Sequence, residues 1–161
     1  MNQAIEGLMY AASQLFLIPV LLAIGVLFLH AFHALGAFLW QARQRRVGLA
    51  AGFELIEARP QDPGLRIVDL EALALARLEF ARIATRVAPM LGLAATMIPM
   101  GPALKALGDG ELGDVSRSLM VAFSAVILAL IAAALGYWVV SVRRRWYASD
   151  LLTLEKSEVP R

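Results

Sequence analysis

The sequence predicts an all-α membrane protein with three transmembrane helices. Three long stretches of its 161 residues carry no charged side chain: Gly7–Ala42, Val87–Leu104 and Ser118–Val142. A helix needs roughly 20 apolar residues to cross about 30 Å of hydrocarbon, and each stretch approaches or exceeds that length. Composition agrees, since 60% of the residues are hydrophobic and only 17% are charged. This is more apolar than an ordinary soluble domain.

Span one is expected at about residues 11–39 and should remain in the chain, because it lacks the basic start of a secretory signal and is too long for one. Its uncharged segment is longer than the hydrocarbon layer, so the helix must tilt or place its ends in the interfaces. Its bulky side chains favour contact with lipid. His30 and His33 share one helix face, and with no other histidine and no cysteine a metal site is not predicted.

Segment 43–86 is predicted to contain a turn followed by a helix. The sequence ARPQDPG at residues 58–64 holds two prolines and a glycine, which is typical of a turn. Asp69 is predicted to cap a helix, and apolar residues then recur every three or four positions. No stop signal follows, so span two, at about residues 87–106, is predicted to be the outer half of one long helix that begins in the cytoplasm.

Spans two and three are predicted to be the inner, closely packed helices. Proline removes a backbone donor and tends to kink a helix, and small residues allow helix backbones to approach in lipid. The positions expected to set packing or kinks in span two are Pro89, Gly92, Pro99, Gly101 and Pro102. In span three, at about residues 118–142, they are Ala122, Ala125 and Ala129.

Arginine placement predicts the orientation, since Lys and Arg near span ends favour the cytoplasmic side. Arginines follow span one, precede span two and follow span three at 143–145, and three spans place all of these clusters on one side. The N-terminus and an acidic outer loop at 107–116 are therefore expected outside, with a C-terminal helix at 143–158 in the cytoplasm. Because the cytoplasmic parts are too small for a core of their own, residues 1–161 are predicted to form one membrane domain.

Two segments resemble one known family. RVAPMLGLAATMIPMGPAL, at Arg86–Leu104, is similar to the second span of the MotA/TolQ/ExbB proton-channel family. SLMVAFSAVILALIAAALGYWVVSVRRRWYASDLLTLE, at Ser118–Glu155, resembles the third span and cytoplasmic helix of that family. The GPAL element and the RRRWY tail look most like its short, three-span, ExbB/TolQ-like members. The resemblance extends from roughly Leu70 to Glu155.

The resemblance implies a homo-oligomeric ring, a pentamer in the best understood cases, around the single-span helices of an ExbD/TolR/MotB-like partner. The partner would supply the membrane aspartate that carries protons, which fits spans without charge of their own. Thr96 matches the span-two threonine that lines the proton path, and Ser124 is the nearest hydroxyl in span three. In span three the family usually has a threonine three residues before a Gly-Leu pair, and if Ala129–Leu130 is that pair, Val126 stands at the threonine position. Ala95 stands where a glycine is usual, and Arg117 roughly where some members have glutamate.

The expected function is thus an inner-membrane proton channel that powers transport or envelope work. Flagellar stators have a large cytoplasmic loop with no counterpart in segment 43–86. The alternatives are a non-conducting membrane scaffold, which Val126 and Arg117 favour, and an accessory subunit of a metal or cofactor importer. No catalytic constellation or phosphate loop is present in the sequence, so neither an enzyme nor a cofactor is expected. The net charge of +2 does not suggest nucleic acid binding.

Overall fold

A computed structural model describes residues 2–49, 52–53, 56 and 67–158 of the chain. Three long helices dominate this part: α1 at Asn2–Val47, α2 at Ile67–Gly108 and α3 at Leu112–Glu158. Each is long and apolar enough to cross a membrane, so the prediction of an all-α, multi-pass membrane protein is confirmed. The predicted turn at residues 58–64 lies outside the described residues.

The helices continue past the uncharged segments that define the spans. Helix α1 exceeds the predicted span one at both ends. Helix α2 runs unbroken from the amphipathic segment through Pro89, Pro99 and Pro102, and α3 runs from before Arg117 to Glu158. Asp69, which the sequence predicted as the cap of α2, lies instead in its first helical turn. A carboxylate there is favoured by the partial positive charge of the helix N-terminus.

The connection between α2 and α3 is shorter than the loop predicted at 107–116, because only residues 109–111 lie outside the helices. Gly110 has a φ of 81°, a left-handed conformation that glycine adopts readily. The backbone N–H of Glu111 donates to the carbonyl of Ala106 at 2.8 Å. These are the features of a Schellman C-cap, which ends α2 within three residues and lets α3 start at once.

Contacts divide the chain into two compact units, and each of the three helices contributes to both. Unit 1 comprises Met1–Ala31 and Thr85–Ala134, and unit 2 comprises Phe32–Ala84 and Leu135–Arg161. The core of unit 2 includes the buried side chains of Ala74, Leu78 and Tyr147.

Much of the apolar surface of the helices is exposed in the single chain. Only 11% of the most apolar window of α1 is buried inside the protein, against 28% for α2 and 22% for α3. Large exposed side chains on α1 include Leu15, Phe16, Leu22 and Leu29. Apolar surface of this extent on a folded chain marks contact with lipid or with other protein chains.

Candidate functional site

Helices α2 and α3 approach each other closely in unit 1 at Gly92. A methyl group added at Gly92 would lie 2.9 Å from the Cβ of Ala129 and 3.4 Å from Cγ2 of Val126. Carbon atoms pack at about 3.5–4.0 Å, so a methyl group at Gly92 would overlap these neighbours. The Ala129 methyl is attached directly to the backbone, and only a movement of the helix could relieve the overlap.

The small residues of both spans form the centre of unit 1. Ala95 and Ala129 are fully buried, and Ala125 is 4% exposed; all three cluster with Ile24 of α1. The other predicted packing positions are Ala122 and Pro99, which are buried, Pro89 and Pro102, which are partly buried, and Gly101, which is exposed. A methyl group at Gly101 would meet the Tyr10 ring at 3.2 Å. The small residues thus let the helix backbones pack directly on one another.

A side-chain amide from α1 completes the backbone hydrogen bonding of α2. Pro102 has no N–H, so the carbonyl of Ile98, four residues earlier, lacks the usual helical donor. Gln14 Nε2 donates to that carbonyl oxygen at 3.2 Å. In a membrane such freed backbone groups must find a partner inside the protein or water. Sequence analysis did not single out Gln14, although it is one of few amides in the first uncharged segment.

Replacing Gln14 with methionine, which has a similar volume and no donor, should therefore lower the free energy of unfolding. We expect a loss of about 1–2 kcal/mol, near the upper end of hydrogen bonds measured between membrane helices. Reversible unfolding in mixed micelles, followed by circular dichroism, measures it. In a Pro102→Ala background, the backbone N–H of residue 102 donates to the Ile98 carbonyl. Replacing Gln14 with methionine should then lower the free energy of unfolding by clearly less. Equal losses in the two backgrounds would contradict this account.

The two candidate proton-path hydroxyls lie outside the packed centre of unit 1. Thr96 Oγ1 donates to the Leu93 carbonyl at 2.7 Å, and Ser124 Oγ donates to the Met120 carbonyl at 2.8 Å. Ser124 is exposed and Thr96 is partly exposed. Because each hydroxyl proton is engaged within its own helix, each oxygen keeps lone pairs that can accept a hydrogen bond from a water molecule or a protonated carboxyl.

The positions that depart from the family pattern have different environments. Val126 is partly buried beside Gly92, in the contact between α2 and α3. Arg117 lies near the start of α3 and forms an exposed pair with Asp114 at 3.6 Å, a kind of contact worth little in stability. Within the described ranges, no three His, Cys, Asp or Glu side chains come together as metal ligands.

Unit 2 contains an ion pair that sequence analysis did not anticipate. The Arg45 guanidinium pairs with Asp150 of α3, and their side chains are only 12% and 5% exposed. Arg45 Nε also donates to the Gly52 carbonyl at 2.7 Å. The guanidinium carbon lies 4.6 Å from the centroid of the Phe53 ring and 4.8 Å from that of the Trp146 ring, which are cation–π distances.

An aromatic cluster adjoins this ion pair. The buried Phe38 ring stacks on Trp146 with centroids 5.1 Å apart and an interplanar angle of 13°. Its edge-to-face contact with Trp138 has a centroid distance of 5.3 Å and an angle of 65°. The sequence showed only the run of arginines, which was used to predict the orientation of the spans in the membrane. The partner of Arg45 lies 105 residues away in the chain, beyond the reach of local patterns.

The chain matches no protein-family model, no curated protein and no solved structure at a significant level.

Proposed function

We propose that this chain is a ring-forming subunit of an inner-membrane proton channel that converts the proton gradient into work for transport or envelope processes. A single-span partner of the ExbD/TolR type supplies the proton-carrying aspartate. The observation that carries the proposal is the placement of Thr96 and Ser124. They lie in spans without charged side chains, outside the packed centre of their own subunit, with oxygens able to accept hydrogen bonds.

The packing of unit 1 supports the alignment with the family motif. The family has a glycine near the position of Ala129, and here Ala129 has no exposed surface and faces Gly92. A small, fully buried residue at this position is what such an alignment requires. The exposed apolar surface of the three helices also suits a subunit surrounded by lipid and by copies of itself.

In this proposal the aspartate of the partner takes up a proton from outside and becomes neutral, which lowers the cost of its passage through the apolar ring. The oxygens of Thr96 and Ser124 accept hydrogen bonds from the protonated carboxyl or from water beside it. The N-terminus and the turn at 109–111 face outside. The arginine clusters and the ends of α1 and α3 lie in the cytoplasm.

Proton flux into proteoliposomes that contain the chain and a single-span, aspartate-bearing partner tests the channel. We expect Thr96→Val to lower flux about two- to tenfold, since a hydrogen bond between neutral groups contributes about 0.5–1.5 kcal/mol and each 1.4 kcal/mol in a barrier is about tenfold in rate. Thr96→Ser should retain most of the flux. The matched control is Thr153→Val. The Thr153 hydroxyl also donates to a carbonyl of its own helix, that of Ser149 at 3.0 Å, but Thr153 lies beyond the uncharged span.

Flux that is unchanged by Thr96→Val would remove this hydroxyl from the mechanism. The absence of flux from every preparation would favour the second candidate, a non-conducting membrane scaffold. The position of Val126 supports that alternative, because the residue that replaces the usual threonine packs in the contact with α2. The mass of the solubilised complex tests the ring, and a monomer under all mild conditions would contradict it.

A further inference from the structure

Unit 2 contains a cleft of about 530 Å³ that the proposed function does not use. Phe38, Leu39, Trp138 and Val142 form apolar walls, and Arg45 and Arg46 lie at one end. Its volume is within the range of small-molecule sites, and its lining is mostly apolar with a few polar groups, as in such sites.

The cleft lies where the chain changes from uncharged to basic on two helices. Phe38, Leu39 and Ala42 belong to the last turns of the first uncharged segment, and Val142 ends the third. In a membrane-spanning helix this change marks the boundary between hydrocarbon and headgroups, where tryptophan is also favoured. The walls of the cleft thus meet acyl chains, and its basic end meets phosphate.

The charges at the basic end are not equivalent. The charge of Arg45 is balanced by Asp150. Arg46 is exposed, and no carboxylate pairs with it in the part of the chain that the structure describes. A guanidinium binds a phosphate through two parallel N–H···O bonds. The cleft therefore combines apolar walls with a guanidinium, that of Arg46, which no carboxylate among the described residues neutralises and which suits an anionic group.

We propose that this cleft binds one anionic phospholipid, with its phosphate at Arg46 and the upper part of an acyl chain against Phe38, Leu39 and Trp138. The inference requires that the helices cross a membrane, and it is independent of proton conduction. It assigns Arg46 a ligand, whereas Arg45 has a structural role in the ion pair with Asp150.

Tryptophan quenching by brominated lipid gives a direct test. The chain has three tryptophans, and in a Trp40→Phe background the remaining two, Trp138 and Trp146, both line the cleft. The full chain is reconstituted into phosphatidylcholine vesicles with increasing fractions of brominated phosphatidylglycerol or brominated phosphatidylcholine. We expect quenching at lower mole fractions by the anionic lipid than by the zwitterionic one.

Two variants and one matched control locate the effect. Arg46→Gln should lower the preference for phosphatidylglycerol about fivefold, because it removes the charge that lies beside the headgroup of the bound lipid. Arg43→Gln removes the same charge from an exposed position on the same helix that does not line the cleft, and should change the preference little. Ala42→Phe fills the cleft without changing charge and should abolish the preference.

Equal losses in the two arginine variants would overturn the proposal in favour of general attraction to an anionic surface. A preference that survives Ala42→Phe would place the lipid elsewhere and would also overturn it. Relief of quenching by millimolar inorganic phosphate would show that the cleft binds soluble phosphate in preference to a lipid, and would overturn the assignment of a lipid as its ligand. Proton flux in the same vesicles is a separate measurement. A failure of the lipid-site proposal can therefore be distinguished from a failure of the proton-channel proposal.

Discussion

Replacing Asp150 with alanine is expected to lower the free energy of unfolding by about 3–5 kcal/mol, the usual cost of removing one partner of a buried ion pair. The side chains of Arg45 and Asp150 are 12% and 5% exposed, so water solvates little of the arginine that remains. Its guanidinium is also held by the Gly52 carbonyl and by the rings of Phe53 and Trp146. Unfolding in mixed micelles, followed by tryptophan emission, measures the loss.

Two controls separate burial from charge. Asp114→Ala breaks the pair with Arg117, whose side chains are 58% and 82% exposed, and should cost less than about 1 kcal/mol. The double variant Arg45→Met/Asp150→Leu removes both charges and should recover much of the stability lost in Asp150→Ala. Two results would refute the role of burial. One is a double variant as unstable as Asp150→Ala, and the other is an equal loss of unfolding free energy in Asp150→Ala and Asp114→Ala.

Replacing Gly92 with alanine is expected to cost about 1–3 kcal/mol, the range for adding atoms to a well-packed core. The new methyl would lie 2.9 Å from the Cβ of Ala129, so α2 and α3 would have to separate. Gly92→Val should cost more. Unfolding in mixed micelles gives the stability, and cross-linking of cysteines introduced into the two helices would report the separation.

The matched control is Gly25→Ala, also within unit 1 and an uncharged span. A methyl group at Gly25 would have no neighbour within 4 Å among the described residues, so this change should not destabilise the chain. Ala129→Gly should restore stability to Gly92→Ala, because it removes the atom that the new methyl meets. Equal effects at the two glycines, or a lack of rescue, would contradict the role of the contact between Gly92 and Ala129.

Hydropathy predicted the three helices because the need to satisfy backbone groups in lipid acts on each segment separately. The continuation of α2 through its prolines also followed from local periodicity. The predicted ends of the helices were less accurate. Asp69 lies inside α2, and only residues 109–111 of the predicted outer loop lie outside the helices. The loop was predicted from the positions of charged residues. The Schellman cap at Gly110 is made by backbone hydrogen bonds, which the pattern of charged and polar side chains does not reveal.

The candidate site was predictable only in part. The small-residue spacing indicated which faces of α2 and α3 could pack, but not that Gly92 would meet Ala129. Thr96 and Ser124 were proposed from a motif, and their exposure on unit 1 became known only from the structure. Gln14 passed unnoticed because its importance depends on the carbonyl that Pro102 frees, 84 residues from Gln14 in the chain.

By itself the sequence determined that this chain is helical and spans a membrane three times, since the length and charge of each segment decide its partition into lipid. Only the tertiary structure decided which arginine of the run after span one pairs with a buried carboxylate. Arg45 and Arg46 are adjacent and chemically identical. They differ because the helix turns by 100° from one to the next, and only Arg45 reaches the carboxylate of Asp150.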